Sequence, residues 1–148
     1  MSYSIASSTT EVRATIEPEV ETAWIALGYT ADTIEWPNTY FVKPGNGAWI
    51  RVSYPQQSTF PYTWGGPANV VQNTTIGLLA IQVFAPKNAG AAVLIGAVDA
   101  FRRTFERRSF GDGIRFREAT GPSETFFDAS WAAISLSFPF EFIENIQQ

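Results

Sequence analysis

Residues 76–90 read Ile76-Gly77-Leu78-Leu79-Ala80-Ile81-Gln82-Val83-Phe84-Ala85-Pro86-Lys87-Asn88-Ala89-Gly90. In an extended chain Leu79, Ile81 and Val83 fall on one face, and Leu78, Ala80 and Phe84 on the other. Apolar residues on both faces predict a central strand over Thr75 to Phe84, covered on both sides. Pro86 stops that strand, and Asn88 is placed to cap a following helix. Leu94, Val98, Phe101 and Phe105 then recur at helical spacing and define one buried face. Gly111 is placed to close the helix. Gly113 to Arg117 predicts the next strand, with Ile114 and Phe116 inward and Arg115 and Arg117 outward. Gly121-Pro122-Ser123 reads as a loop. In the last strand Ile134, Leu136, Phe138, Phe140 and Phe142 share one face, and Ala133, Ser135, Ser137, Pro139 and Glu141 the other. Pro139 cannot donate to a ladder, so the strand is an edge there or bulges.

Toward the N-terminus, Thr9 and Thr10 before Glu11 signal a helix start. Val12, Ile16, Val20, Ala23, Trp24 and Leu27 continue as a helical stripe that Gly28 ends. Pro18 removes one backbone hydrogen bond inside it, so the helix is expected to kink or break briefly there. Trp36-Pro37-Asn38 predicts a turn and Thr39 to Val42 a short strand. After the Pro44-Gly45-Asn46-Gly47 turn, Ala48 to Tyr54 alternates as a half-buried strand. From Pro55 to Asn73 the chain carries Pro55, Pro61, Gly65, Gly66 and Pro67, and a long loop is expected. The sum is one α+β domain over residues 1–148. A single mostly antiparallel β-sheet packs against two α-helices, with the long loop between strands two and three.

Composition narrows the function. The 148 residues contain no cysteine and no histidine. Disulfides, thiol nucleophiles and Ser-His-Asp triads are therefore excluded, and the commonest metal ligands are missing. No cofactor or metal is expected. The net charge of −4 disfavours a whole-protein grip on nucleic acid. Charged residues are only 16% against 45% hydrophobic ones, which points to burial in an assembly. The N-terminus lacks a signal-peptide pattern and no apolar run approaches the ~20 residues of a membrane helix. A soluble protein made in the cytoplasm, with no membrane partner, is expected.

Few residues offer chemistry. Glu17 and Glu21, one helical turn apart, form the best carboxylate pair, but nothing in the sequence supplies a cleft to split their pKa values. Gly45-Asn46-Gly47 is too short for a phosphate loop. Two groups stand out instead. Phe60, Tyr62 and Trp64 sit on the Pro/Gly-rich segment, where they either cap the core or anchor a partner protein. Arg102, Arg103, Arg107, Arg108, Arg115 and Arg117 form the one marked charge cluster. It suits phosphate contact, pairing with acids across a subunit interface, or a solvated helix end.

The order of pieces carries a resemblance. A Trp-Pro-Asn turn precedes a Pro-Gly loop and the strand Trp49-Ile50-Arg51-Val52, and a long Gly/Pro segment follows. Then come Gln82-Val83-Phe84-Ala85-Pro86-Lys87, a helix with Asp99-Ala100-Phe101, Gly113-Ile114-Arg115-Phe116, and finally Trp131 and Ser137-Phe138-Pro139-Phe140. From about Glu11 to Glu144 this resembles the tail terminator family of long-tailed phages. The resemblance implies a structural virion protein and no enzyme. It would form a hexameric ring at the head-proximal end of the tail tube, end polymerisation of the major tail tube protein, and present a surface to the head-tail connector (stopper) protein. DNA would pass through the lumen without specific binding. The protein would reside in the tail neck region, and in the host cytoplasm during assembly. Another ring-forming connector, the tube protein itself, and a small carboxylate-dependent enzyme or ligand-binding domain are the competing readings.

Overall fold

The computed structural model describes residues 9–61, 70–89, 91–111, 113–126 and 130–147. Helix α1 (Thr9–Ala26) leads through a 3-10 turn (Ala31–Thr33) into β1 (Ile34–Glu35). Strands β2 (Trp49–Pro61) and β3 (Val70–Pro86) follow, then a second 3-10 turn (Lys87–Ala89) and helix α2 (Ala91–Phe105). The chain ends with β4 (Ser109–Phe110), β5 (Ile114–Phe116), β6 (Thr120–Phe126) and β7 (Trp131–Gln147). These strands form one sheet of order β1-β2-β3-β7-β5-β4, with β6 also paired to β7. Among the described residues β1–β2 is parallel and the other pairings are antiparallel. The class is α+β, with one sheet and two helices.

Both helices pack on the same sheet face. Val12, Ile16, Val20 and Trp24 of α1 and Ala97, Val98, Phe101 and Phe105 of α2 are buried against Ile50, Val52, Leu79, Ile81, Val83, Leu136 and Phe138. The last turn of α2 presses Phe105 into an aromatic cluster, with ring centroids 5.1 Å from Phe116 and 5.5 Å from Phe138. The opposite face is different. Trp49 stacks on Phe84 at 4.0 Å and meets Trp131 and Phe41, which buries one end of that face. Farther along β3, Leu78 and Ala80 are half-buried and Ile76 is exposed. Double-sided cover of β3 therefore holds at the Phe84 end and fades toward Ile76.

Several local expectations are corrected. The segment Thr39 to Val42 is not a strand. Asn38 adopts φ 57, the Thr39 N–H donates to the Trp36 carbonyl, and the edge strand is the earlier Ile34–Glu35 pair. The connection between β2 and β3 is shorter than Pro55 to Asn73, because both strands extend into it; residues 62–69 lie outside the described residues. The register shift between Ser53 and Gln56 explains how β2 passes Pro55: Tyr54 and Pro55 form a bulge, where a missing N–H costs no ladder bond. Gly121-Pro122-Ser123 belongs to bulged strand β6, with Gly121 at φ +102. Helix α1 runs through Pro18 unbroken. Asn88 lies in the 3-10 turn, three positions before the first residue of α2. Gly111 does not close α2: the helix ends at Phe105 and Arg107 takes the left-handed conformation, φ 57.

Candidate protein interface

The end of α2 collects the arginines. Arg102 and Arg103 occupy its last turn. The chain then reverses at Arg107, with the Arg108 N–H donating to the Phe105 carbonyl at 3.1 Å. The β4–β5 hairpin returns alongside, so the Phe116 N–H donates to the Arg108 carbonyl and the Arg107 N–H to that of Arg117. Backbone bonding thus brings the helix-end arginines next to the strand arginines.

Their partners divide the cluster. Arg102 pairs with Glu106 at 3.0 Å, Arg107 with Glu118, and Arg117 with Glu141 at 3.1 Å. Glu106 also accepts the Ala119 N–H at 2.8 Å. That backbone bond, with the Arg102 and Arg107 guanidinium groups behind it, holds its carboxyl below the usual carboxylate range. Three of the six arginines are therefore satisfied inside the chain. Arg103, Arg108 and Arg115 make no ion pair among the described residues. Arg103 and Arg108 border an open groove between the helices, floored by Ala23, Ala26, Leu27, Ala100 and Phe110, with Glu19 on its rim. Alanines on both helices leave it open, and its lining is mixed, with Glu19, Arg103, Thr104 and Arg108 among the apolar side chains. Arg115 points to the opposite side of the sheet, because β5 turns Ile114 and Phe116 into the core.

The remaining sequence candidates fall elsewhere. Phe60 is placed by its backbone in β2, opposite Thr74; its side chain, Tyr62 and Trp64 lie outside the described residues. Glu17 turns to β2. It accepts the Tyr54 hydroxyl at 3.2 Å, while the Arg13 guanidinium lies 4.3 Å above the Tyr54 ring. Burial, reinforced by the Glu17 carboxylate, pushes the Tyr54 phenol well above its ordinary pKa. Sequence reading missed Tyr40 and Val42, which are 93% and 67% exposed on either side of the half-buried Phe41. Their alternation with Phe41 is the signal in the sequence, and it is one that an exposed connection shares with a strand.

The structure thus combines a sheet backed by two helices with an arginine-bordered groove and carboxylates that are only partly paired within the chain. Residues 11–140 match the family of phage tail terminator proteins, and the chain belongs to that family. Its role is accordingly that of a structural component of the phage tail. A solved structure resembles it with a TM-score of 0.65 at 18% identity, over 91% of this chain and 95% of that one, which establishes likeness of fold. No protein of curated function matches the sequence.

Proposed function

We propose that the chain forms a hexameric ring on the head-proximal end of the tail tube, stops tube polymerisation there and offers the joining surface for the head connector. The family match over residues 11–140 carries this reading. Identical head-to-tail contacts extend a tube without limit unless a surface that does not repeat covers its end. A ring that fits the tube on one side and rejects further tube subunits on the other meets that need. DNA passes through the lumen, and a chain of net charge −4 has no overall hold on its phosphates. Phe60, Tyr62 and Trp64, together with the arginine cluster, supply protein contacts in this reading.

The test is tail assembly with and without the protein. Omission yields tubes that outgrow their normal length in electron micrographs, and adding the purified chain back restores a uniform length with a ring at one end. Tubes of normal length in its absence contradict the capping role. Replacing residues 62–69 with a short turn is expected to leave the circular dichroism spectrum intact and to block tail completion.

A further inference from the structure

The sheet order sets two oppositely charged edges apart. Strand β4 closes one edge, and Arg108, which directly precedes it, joins Arg103 at the groove there. Strand β1 closes the other edge, preceded by Asp32 and containing Glu35. Residues 102–118 hold six of the ten cationic side chains and three of the fourteen acids, a net charge of +3. Residues 11–35 hold six acids and one cation, a net charge of −5; Glu19 among them lies on the rim of the groove, and Asp32 and Glu35 lie at the β1 edge.

Helix α1 separates the two sides. Its core stripe, Val12, Ile16, Val20 and Trp24, runs between two flanks. Glu19, Ala23 and Ala26 turn to the groove and α2. Arg13 and Glu17 turn to Tyr54 on β2, and Glu21 follows Glu17 by one turn on that flank. Glu17 and Glu35 are engaged within the chain, by Tyr54 and Arg51. Glu21 and Asp32 make no ion pair among the described residues. The segment joining β1 to β2 adds exposed Tyr40 and Val42. Strands β1 and β4 are two residues each and β1 covers β2 only at Ile50 and Arg51, so a contact made at β1 or β4 themselves rests on side chains more than on a backbone ladder.

We infer that copies of this chain associate head to tail, with the Arg103–Arg108 groove of one receiving the Glu21–Asp32 side of the next. The occupant of the groove is a second copy because its complement in charge, two acids without an ion pair among the described residues, stands on the far flank of the same fold. A contact between two different edges is the heterologous kind that closes into a ring. The charges fix register and partner choice, and Ala23, Ala26, Leu27 and Phe110 in the groove add apolar area to bury. The assignment rests on the ring reading and specifies which surfaces make it.

A charge-swap experiment tests it. The R103E/R108E and E21K/D32K variants are each expected to lose ring formation, and the chain carrying all four changes to recover it. Rings are scored by analytical ultracentrifugation of the free protein and by electron microscopy on tail tubes, with circular dichroism confirming the fold. Wild-type association should weaken at 1 M salt, where the Debye length is about 3 Å. Rings that survive both reversals, or a four-fold variant that stays dissociated, overturn the contact while leaving the ring standing. Loss of tube docking with rings intact assigns Arg103 and Arg108 to the tube protein and overturns it too, as does duplex DNA binding that R103E/R108E abolishes. Absence of any wild-type ring, free or on tails, overturns the ring reading itself.

Discussion

At Gly77 the backbone of β3 passes directly beneath the Phe140 ring. A Cβ there would lie 2.5 Å from Cζ of that ring. Phe140 is 3% exposed and held between Phe116 and Phe142, with centroids 5.3 and 6.2 Å away, so it has nowhere to turn. Gly77→Ala is therefore expected to destabilise the fold by about 1–3 kcal/mol, as overpacked cores do, read as a lower denaturant midpoint at unchanged slope. Glu106 makes a second prediction. Its folded-state pKa is depressed by the Ala119 N–H and the neighbouring arginines. The stability it contributes is full above the ordinary glutamate pKa of about 4.3 and is lost as pH falls through the lower folded value. Glu106→Gln should thus lower stability at neutral pH, and its gap from wild type should close in acid. A gap independent of pH would show that packing, and not charge, sets the value of this side chain.

At the scale of elements, the prolines show how pairing overrides local signals. Pro18 lies inside α1 and leaves the Ala14 carbonyl without its helical donor. Both residues are exposed, so water serves that carbonyl and the helix continues, held by the buried Val12–Trp24 stripe. Pro18→Ala restores the donor and should raise stability by about 1–3 kcal/mol, less a few tenths for the freer unfolded chain, measured as a higher Tm. Pro139 sits within β7 opposite Leu78. On the outer edge of β7, β6 pairing ends at Ser137 and β5 pairing begins at Phe140, so the absent N–H falls in the gap between them. Its carbonyl still accepts the Arg117 N–H at 2.9 Å. The sequence expectation of an edge or bulge at Pro139 thus meets a local break in one edge of a strand paired along its whole other side. The strand β6 was hidden because Gly121 and Pro122 read as loop residues, and only the bulge in the β7 pairing accommodates them.

For the whole molecule, the charges are segregated while the total stays acidic. Duplex DNA meets a net charge of −4, and half of the arginine cluster is already paired to Glu106, Glu118 and Glu141. The purified protein is expected to give no electrophoretic shift of duplex DNA at about 150 mM salt, where screening leaves only close contacts effective. A tight, salt-sensitive shift would contradict a protein that lets DNA pass. The two sheet faces also differ in consequence. One is sealed by the helices; the other is buried at the Trp49–Phe84–Trp131 end and exposes Ile76 toward its far end, leaving surface for neighbours in an assembly.

Periodicity alone determined the α+β class, the two helix core stripes apart from Leu27, which lies beyond α1 and is exposed, and the inward faces of β2, β3, β5 and β7, because burial of one face imposes its own repeat. Composition alone excluded thiol and histidine chemistry, and the order of motifs already resembled the family that residues 11–140 match. Tertiary structure decided the rest. Whether a proline ends a strand depends on which ladder bond it would have made, and that depends on its neighbours in the sheet. Whether an arginine is available depends on which carboxylate the fold delivers to it. Six arginines looked alike in sequence; the turn at Arg107 and the return of β5 gave three of them internal partners and left Arg103 and Arg108 beside the groove. The separation of acidic and basic edges was equally invisible, because residues 32–35 and 103–110 reach opposite edges of one sheet only when β1 and β4 take its two ends.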